Sequence, residues 1–340
     1  MIQLDFQSLE DIDTVAMVLG CFPSFINTVI DTPSRFYTLK KIPKKGKGQK
    51  GQYRLVYEVD SELNVIQKNI ATAIASKIQF PEYVQGFVNK RSIATNAALH
   101  LSQKYVLNLD IKNFFDSINQ KQIIEVFKEI GCTETIAEIF ARLCTFNGHL
   151  VQGASTSPIL ANLVCKELDQ NFVELAKKYN CSYSRYADDI TFSGDITPRK
   201  KEIEKCLKKY GFELNPVKWK GQPRGKSQYV TGLTVFDNTK PRIPRVIKKQ
   251  LRQILYYASK YGWSNHKYKV SICIQKNMYY DIKQIDGMIA FMYSVEPEQA
   301  LKFDLQWQKI LKEQDIDYVK GRDPNVIFAR RSQVQTDISE

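Results

Sequence analysis

The sequence predicts an α+β fold built around an antiparallel sheet, and three observations support this class. Segments with helical and with strand-like patterns are intermixed along the 340 residues, without the regular strand–helix alternation of a doubly wound fold. Several strand-like pairs are separated by short turn segments, which is typical of antiparallel hairpins. Hydrophobic residues make up 43% of the chain, which is enough for two or three packed units.

Helices and one basic hairpin are predicted for the first third of the chain. Residues 4–30 have the composition of short helices interrupted at Pro23. Residues 35–59 predict a β-hairpin, because strand-like ends flank a tip rich in lysine and glycine, and Arg54 lies in the returning strand. The apolar spacing of residues 62–79 then predicts a helix.

The rest of the chain continues this irregular mixture. The predicted elements are a strand that enters an acidic and aromatic cluster (104–115), two helices (120–146), one long helix starting at Pro158 (158–179), a strand–turn–strand (182–194), a helix ended by Gly211, a hairpin turning at Asp237–Asn238, and helices from Pro244 to about residue 315. A polar tail follows.

The chain is strongly basic, with a formal net charge of +13. This favours a polyanionic partner, nucleic acid before a membrane surface, although a lysine-rich enzyme of another kind would have the same composition. No apolar run approaches the ~20 residues of a membrane span, and the acidic start lacks a signal-peptide pattern. We therefore expect a cytoplasmic protein with no membrane partner. Seven isolated cysteines and three distant histidines argue against a zinc site.

Two adjacent aspartates, Asp188 and Asp189, lie in the turn of the predicted strand–turn–strand. Adjacent carboxylates repel one another, so a bound cation is one reason for this doublet; the other is that aspartate is common in turns. Asp110 ends another predicted strand. Three carboxylates at strand ends suit Mg²⁺, which prefers hard oxygen ligands, and two such ions can stabilise the attacking and leaving oxygens of phosphoryl transfer.

Six segments resemble, in the same order, the signature blocks of reverse transcriptases. They are the fingers hairpin (IPKK…YRLVYE, 42–58), the first aspartate block (LDIKNFFDSI, 109–118), the template- and nucleotide-facing loop (QGASTSPILANL, 152–163), the doublet (YADD, 186–189), the Gly…Asn…Lys block (GFELNPVKWK, 211–220) and the primer-gripping hairpin (YVTGLTV, 229–235). Each segment is weakly specific, but together they cover roughly residues 35–315 in the family's order.

The resemblance implies the right-hand polymerase arrangement, in which a palm with an antiparallel sheet lies between fingers and a helical thumb. The implied divisions are an N-terminal helical segment (1–34), fingers (35–104, with 119–175 as fingers and palm helices), the palm (105–118 and 176–243), the thumb (244–318) and a C-terminal tail (319–340).

The resemblance also implies the catalytic and metal-binding residues, which are Asp110, Asp188 and Asp189. Asp110 and Asp188 would be direct ligands, and Asp189 would either ligate or tune the charge. The implied cofactor is Mg²⁺, as two ions, with Mn²⁺ as a substitute.

A further set of residues is implied to bind the nucleotide. These residues are Lys44, Lys45, Arg54, Ile111, Phe115, Gln152, Gly153 and Lys218. Arg54 is the preferred phosphate ligand, because a strand holds it more rigidly than a glycine-rich tip holds a lysine. The backbone from Ile111 to Phe114 would cradle the triphosphate. Phe115 would exclude a ribose 2′-OH, although one of Phe114 and Phe115 must belong to the core, and Lys218 would protonate the leaving pyrophosphate.

Two short motifs resemble the retron branch of the family, NAALH (96–100) and VTG (230–232). Within them, Asn96, His100, Thr231 and Gly232 are implied to help recognise a specific RNA; the alternative for NAALH is a helix whose histidine is packed or solvated. Basic residues also recur at helical spacing in the implied thumb, where they would face a duplex backbone. These residues are Arg245, Lys248, Lys249 and Arg252.

The implied function is that of a retron RNA-directed DNA polymerase in bacterial anti-phage defence. Its implied partners are dNTPs, a cognate structured noncoding RNA, the branched RNA–DNA product joined through a 2′,5′ linkage, and a separately encoded effector protein. Two alternatives stay open. One is a reverse transcriptase of the intron or abortive-infection type, and the other is an RNA-binding scaffold that restrains a toxin.

Overall fold

The computed structural model describes residues 5–43, 51, 53–263 and 282–314. The chain divides into two compact units, Met1–Thr231 and Gly232–Glu340. The boundary therefore falls before residue 244, where the sequence predicted a helical unit to begin. Helices and strands are mixed in the described chain, as expected for the α+β class.

The elements of the first unit carry the site. Its helices are α1 (Ile12–Leu19), α2 (Pro23–Asp31), α3 (Ser61–Lys77), α4 (Ile93–Ala98), α5 (Gln120–Ile130), α6 (Glu134–Cys144), α7 (Ser157–Val164), α8 (Lys166–Lys178) and α9 (Lys200–Lys209). Its strands are β1 (Tyr37–Pro43), β2 (Tyr53–Val59), β3 (Tyr105–Asp110), β4 (Ser182–Tyr186), β5 (Asp189–Gly194), β6 (Lys220–Pro223) and β7 (Tyr229–Val230).

The second unit is mainly helical. Its elements are β8 (Leu233–Thr234), α10 (Arg245–Tyr261), α11 (Ile282–Tyr293) and α12 (Pro297–Glu313). The predicted hairpin around Asp237 is present as a bridge between Thr234 and Arg242, and Asp237 accepts hydrogen bonds from both Thr239 and Arg242 in the loop. Trp307 of α12 is fully buried in this unit.

A four-stranded antiparallel sheet forms the centre of the first unit, in the order β4–β5–β3–β6. Its middle strand β3 is apolar because both faces of the strand are covered, and Val106, Leu107 and Leu109 are all buried. The predicted strand–turn–strand is confirmed as β4 and β5. The register of β3 on β5 places Asp110 directly opposite Asp189.

The basic hairpin β1–β2 is a separate two-stranded sheet whose base is fixed to the core of the first unit. Tyr37 of β1 is buried, and its hydroxyl accepts a hydrogen bond of 3.0 Å from Gln67. The same Gln67 side chain also donates to the Leu143 carbonyl of α6 and accepts from the Ser155 N–H. One buried amide therefore joins the hairpin, α3, α6 and the loop that follows residue 151.

Two predicted elements differ from the structure. The single helix predicted for residues 158–179 is interrupted at Cys165, where the backbone ψ of 0° ends α7 before α8 begins. Strand β6 was not predicted, because its sequence KGQP has low strand propensity. It is accommodated at the edge of the sheet, where a terminal proline loses no ladder hydrogen bond.

Among the described residues, no single helix has the length and apolar composition to cross a membrane, although α1 and α2 together meet both criteria as a pair bent by 104°.

Candidate active site

Three aspartates meet where β3 ends and β5 begins. Asp110 is the last residue of β3 and is only 3% exposed, while Asp189 is the first residue of β5 and is exposed. Directly paired residues of antiparallel strands project from the same face, so these two carboxylates share one side of the sheet. Asp188 lies in the preceding turn, and its carbonyl accepts a hydrogen bond of 2.9 Å from the Ile111 N–H. The predicted meeting of the three aspartates is thus found at one edge of the sheet.

The Asp110 carboxylate is held by two side chains from the segment that follows Gly211. Asn215 donates to Oδ2 at 2.9 Å, and its own N–H donates to the Asp110 carbonyl at 2.8 Å. Lys218 forms a hydrogen-bonded ion pair with Oδ1. The lysine side chain is 51% exposed, whereas the aspartate side chain is 4% exposed. The Gly…Asn…Lys block therefore supplies Asp110 with one fixed hydrogen-bond donor, Asn215, and one accessible cation, Lys218.

The doublet carries negative charge that the protein does not fully compensate. Burial raises the pKa of Asp188 well above its usual range, and the charges of Asp189 and Asp110 raise it further. Asp189 reaches solvent, but the partial desolvation of its carboxylate and the Asp110 charge also raise its pKa, against the opposing effect of Lys218. Burial alone would lower the pKa of Lys218, but its hydrogen bond to Asp110 and the nearby carboxylates raise it, so the ammonium is charged at neutral pH.

The three carboxylates are suitable ligands for a divalent cation, but in this structure their side chains are not arranged around a common metal position. All three carboxylates are hard oxygen donors, and Lys218 already stands as a cation on one of them. In the described part of the chain, no three His, Cys, Asp or Glu side chains converge closely enough to hold a metal ion. The three carboxylates are therefore suited to Mg²⁺ provided that the Lys218 ammonium moves away from Asp110.

The two phenylalanines after β3 have different surroundings. Phe114 is 5% exposed and packs on Phe212 with a ring-centroid distance of 5.9 Å, so it is the core member of the pair. Phe115 is only partly buried. The structure therefore leaves Phe115 as the aromatic that is open to the site.

The backbone predicted to cradle the triphosphate is only partly available. The Ile111 N–H donates to Asp188, and the Lys112 N–H donates to the Glu213 carbonyl at 2.9 Å, so the predicted cradle does not begin at Ile111. The next three N–H groups, of Asn113, Phe114 and Phe115, donate to no acceptor among the described residues. Asn113 has a φ of 48°, and a left-handed residue among such N–H groups is typical of anion-binding concavities.

Gly153 joins the 152–156 loop to the basic hairpin. The Tyr57 N–H donates to the Gln152 carbonyl at 2.8 Å, and a Cβ on Gly153 would lie 2.1 Å from the Tyr57 carbonyl oxygen. Its φ of 118° is also unfavourable for other residues. Only glycine therefore fits at residue 153, and Val56 is the hairpin side chain next to it.

Arg54 lies on the same face of the hairpin as Val56, because alternate residues of a strand share a face. Its side chain is exposed, and Val56 marks this face as the one turned toward the Gln152–Gly153 loop. Lys44 and Lys45, the other predicted phosphate ligands, lie outside the described residues. Arg54 is therefore the predicted phosphate ligand whose position the structure defines.

A buried network under the doublet was not predicted from the sequence. Arg185 is fully buried and forms two hydrogen bonds with the Asp169 carboxylate, of 2.7 and 2.6 Å. It also donates to Asn162 at 3.0 Å and to the Ala187 carbonyl at 3.3 Å. The Ala187 φ of 57° puts the turn in a left-handed conformation, which this network supports. The only sequence signal was an arginine inside an otherwise uncharged strand next to the doublet.

The two motif residues Asn96 and His100 are buried. His100 is 0% exposed, and its ring nitrogens lie 2.7 Å from Ser184 and 2.6 Å from Ser193. Ser184 donates to Asn96 at 2.7 Å, so it must accept from His100 Nε2. Burial lowers the pKa of His100 to about 3, and the ring is neutral. In this conformation neither side chain can contact RNA, which corrects the expectation of a direct contact.

The two retron-like motifs nevertheless meet. The Asn96 amide lies 3.4 Å from the Thr231 hydroxyl, which itself donates to the Ile93 carbonyl at 3.0 Å. Thr231 has a φ of 44°, and the following Gly232 has a φ of 83° and is exposed. The two motifs are therefore joined by one partly buried hydrogen bond, and the exposed part of VTG is its glycine.

In the second unit, the four predicted basic residues of α10 are not equivalent. Arg245, Lys249 and Arg252 are exposed, and the Arg252 guanidinium lies 6.0 Å from the centre of the Phe303 ring. Lys248 instead pairs with Glu296 at 3.0 Å, and its side chain is only 14% exposed. Lys248 is therefore removed from the predicted nucleic-acid face, because its charge is used inside the unit.

Known proteins that are similar to this chain are reverse transcriptases. The family model for reverse transcriptase (RNA-dependent DNA polymerase) matches residues 42–234. The retron Mx65 reverse transcriptase of Myxococcus xanthus is 31% identical over 288 residues, which cover 78% of this chain and 63% of that protein. The retron Ec86 reverse transcriptase of Escherichia coli is 29% identical over 266 residues, covering 77% and 76%. The retron Ec73 reverse transcriptase of the same species is 28% identical over 322 residues, covering 88% and 95%.

The matched region contains all three aspartates, the Gly153 loop and the Asn215–Lys218 segment. The chain therefore belongs to the reverse transcriptase (RNA-dependent DNA polymerase) family. Its similarity to several retron enzymes confirms the predicted kinship with that branch. The alignment spans less than two thirds of the Mx65 enzyme's own length.

Proposed function

We propose that this protein is a retron RNA-directed DNA polymerase that joins dNTPs to a primer hydroxyl in a reaction dependent on divalent metal. The observation that carries the proposal is that Asp110, Asp188 and Asp189 are placed next to one another where β3 ends and β5 begins, with the half-exposed Lys218 ammonium on Asp110. Membership of the reverse transcriptase family agrees with the same chemistry.

In this proposal the three aspartates hold two Mg²⁺ ions, with Mn²⁺ as a substitute, and Asp110 and Asp188 are the direct ligands. When bound, the ions would polarise the α-phosphate and stabilise the attacking and leaving oxygens. The protein contributes a rigid arrangement of carboxylates, because Asn215 fixes Asp110 and the Ile111 N–H fixes the doublet turn. The high local charge of the doublet favours binding of a cation.

The nucleotide would be held by a phosphate side and a sugar side. The free N–H groups of residues 113–115 and the guanidinium of Arg54 provide donors for the triphosphate. Gln152 borders the nucleotide and the template base, next to the close backbone contact at Gly153. Phe115, which is partly buried after the core residue Phe114, would collide with a ribose 2′-OH and so select dNTPs.

Lys218 would act as the proton donor to the leaving pyrophosphate. Its ammonium is charged and half exposed, and it starts on Asp110. When the metal ions and the nucleotide bind, the Lys218 ammonium would leave Asp110 and pair with the leaving phosphate. A charged donor placed beside the reacting phosphates can both neutralise the leaving group and supply its proton.

We assign residues 35–243 to fingers and palm and residues 244–318, which include α10–α12, to the thumb, on the boundaries predicted from the sequence. Arg245, Lys249 and Arg252 would contact the backbone of the RNA–DNA duplex. The cognate partner would be a structured noncoding RNA, and the product would be DNA joined to it by a 2′,5′ branch. Anti-phage defence with a separate effector completes the proposed role, by analogy with the retron family.

The proposal is tested by primer extension with dNTPs on an RNA template in Mg²⁺. Asp110→Asn and Asp188→Asn should each abolish extension while RNA binding and the far-ultraviolet circular dichroism spectrum stay near wild type. Asp195→Asn is the matched control, because Asp195 is an exposed aspartate at the far end of β5 that pairs only with Lys104. Extension by Asp188→Asn at the wild-type rate would refute the proposal.

The retron part of the proposal needs a separate measurement. RNA that purifies with the protein from its native host should be one small species joined to DNA by a protease-resistant linkage that a 2′,5′-debranching enzyme cleaves. Heterogeneous RNA without branched DNA would reject the retron role and leave the polymerase activity intact.

A further inference from the structure

We propose that Phe87 is a second aromatic of the sugar site, which positions the Phe115 ring and so determines selection against ribonucleotides. This inference rests on the function proposed above. The two rings lie with their centroids 6.2 Å apart at an angle of 45°. Phe115 also contacts Phe114 at 5.3 Å, so it lies between a core ring and an exposed one.

Phe87 is not positioned as a core residue. Its side chain is 47% exposed, so it contributes little buried area. Its φ is 61°, in the left-handed region that is costly for a bulky side chain. Backbone strain of this kind persists where the surroundings impose it, often at functional sites. An exposed ring on a strained backbone beside the sugar-selecting residue indicates a role in the site.

The backbone that carries Phe87 is fixed directly to the doublet turn. A Cβ on the preceding Gly86 would lie 2.3 Å from the Ala187 nitrogen, so the two backbones are in direct contact. The Gly86 carbonyl accepts from the buried Asn162 amide at 2.8 Å, and Asn162 is itself held by Arg185. The Gln85 N–H donates to the Arg185 carbonyl at 2.7 Å. One buried network therefore sets both the doublet and the position of Phe87.

The consequence for selectivity is physical. A ring can exclude a hydroxyl only if it cannot rotate away, and Phe87 closes the open side of Phe115. Aromatic pairs contribute about 0.5–1.5 kcal/mol beyond their buried area. Removal of Phe87 should therefore raise the use of rNTPs relative to dNTPs by roughly three- to tenfold.

The test compares kcat/KM for a matched rNTP and dNTP during primer extension by Phe87→Ala, Phe87→Tyr, Phe115→Ala and the double variant Phe87→Ala/Phe115→Ala. We expect Phe87→Ala to raise rNTP use relative to dNTP use and Phe87→Tyr to keep the wild-type ratio. In the double variant, the rise in relative rNTP use should be smaller than the product of the two single-variant rises. Phe22→Ala removes a ring that is more exposed than Phe87 and lies outside these contacts, and it should leave the ratio unchanged. If Phe87→Ala folds poorly, Phe87→Gly relieves the positive φ and should show the same increase.

An unchanged ratio in Phe87→Ala or Phe87→Gly, while Phe115→Ala shifts it, would overturn this inference alone. An effect confined to the KM for primer–template would also overturn it, because that result would identify Phe87 as a template contact. Failure of the wild-type protein to extend any primer would instead refute the proposed function.

Discussion

Asp169 and Asp110 of the first unit are each paired with a cation, and these two pairs differ in completeness. Asp169 and Arg185 are 1% and 0% exposed, are joined by two hydrogen bonds, and are completed by the Tyr183 hydroxyl at 2.6 Å. Asp110 pairs with Lys218, which is half exposed and can rotate away. The Asp169–Arg185 pair is a permanent part of the fold, whereas in the Asp110–Lys218 pair the lysine can be replaced by another cation.

The difference follows from the cations themselves. A guanidinium offers a planar fork that matches a carboxylate, while an ammonium is a point charge on a flexible chain. Around Arg185 the remaining donors are used by Asn162 and Ala187. Near Lys218, burial and the neighbouring carboxylates raise the pKa values of Asp188 and Asp189, and the Lys218 charge opposes this rise only in part.

The largest effect that would sharpen this comparison is expected from Asp169→Ala. Loss of the carboxylate leaves the Arg185 charge buried without a partner, which costs about 3–5 kcal/mol. Urea denaturation followed by circular dichroism measures the change in free energy of unfolding. Lys104→Ala, which breaks an exposed pair with Asp195, is the control and should change it little. A loss for Asp169→Ala no larger than for the control would mean that the pair is not part of the permanent fold.

Lys218→Met is expected to have the next largest effect, and it acts on rate rather than on stability. Removing a positioned proton donor lowers the rate by about 10²-fold. The measurement is single-turnover dNTP incorporation, with urea denaturation in parallel. Lys218→Arg should keep the charge and recover part of the rate. If Lys218→Met extended primers normally but unfolded at lower urea, Lys218 would be structural like Arg185, and the comparison would fail.

Asp188→Asn is expected to have a smaller effect in the absence of divalent metal, and it should increase the free energy of unfolding, whereas Asp169→Ala lowers it. The folded-state pKa of Asp188 is raised above its unfolded value, so the folded protein loses stability as the pH rises from the unfolded pKa through the folded one. The neutral asparagine avoids this loss and should stabilise the protein by about 1–2 kcal/mol at about pH 8. The gain should disappear at about pH 4, where the aspartate is protonated as well.

Urea denaturation with EDTA at both pH values checks this expectation. Asp195→Asn is again the control and should show no gain at either pH. If Asp188→Asn were equally stable or less stable at the higher pH, the doublet would not carry uncompensated charge.

The smallest effect is expected for Lys112→Ala, close to the site in sequence. Lys112 pairs with Glu213 at 2.9 Å, but both side chains are at least half exposed, and such pairs contribute little. Urea denaturation should show almost no change in stability. A loss comparable to that of Asp169→Ala would show that nearness to the site, rather than burial, decides the importance of a pair.

The sequence was informative where local pattern determines structure. Strand-like ends around a turn predicted β4 and β5, and the positions of the aspartates at predicted strand ends, together with the family resemblance, placed Asp110 near the doublet. It was silent where tertiary packing decides. Asn96 and His100 have a polar character that fits either a solvated helix or a buried network, and only the placement of Ser184 and Ser193 distinguishes the two.

Phe87 and β6 were missed for related reasons. Nothing local predicts a positive φ for phenylalanine, because it is imposed by the contact of Gly86 with Ala187. The KGQP segment forms a strand only because β3 presents an open edge to it. Asp169 resembles any acid on an amphipathic helix until Arg185 is brought next to it by the fold.

Gly153 has a consequence for how this gene can change over time. Every single-nucleotide change that replaces the glycine with another amino acid introduces a residue with a Cβ, and a Cβ here would lie 2.1 Å from the Tyr57 carbonyl oxygen. No one-step neighbour in the genetic code therefore fits without moving the hairpin. Variation at this position requires a second, simultaneous change in the path of β2, so drift alone has no route through residue 153.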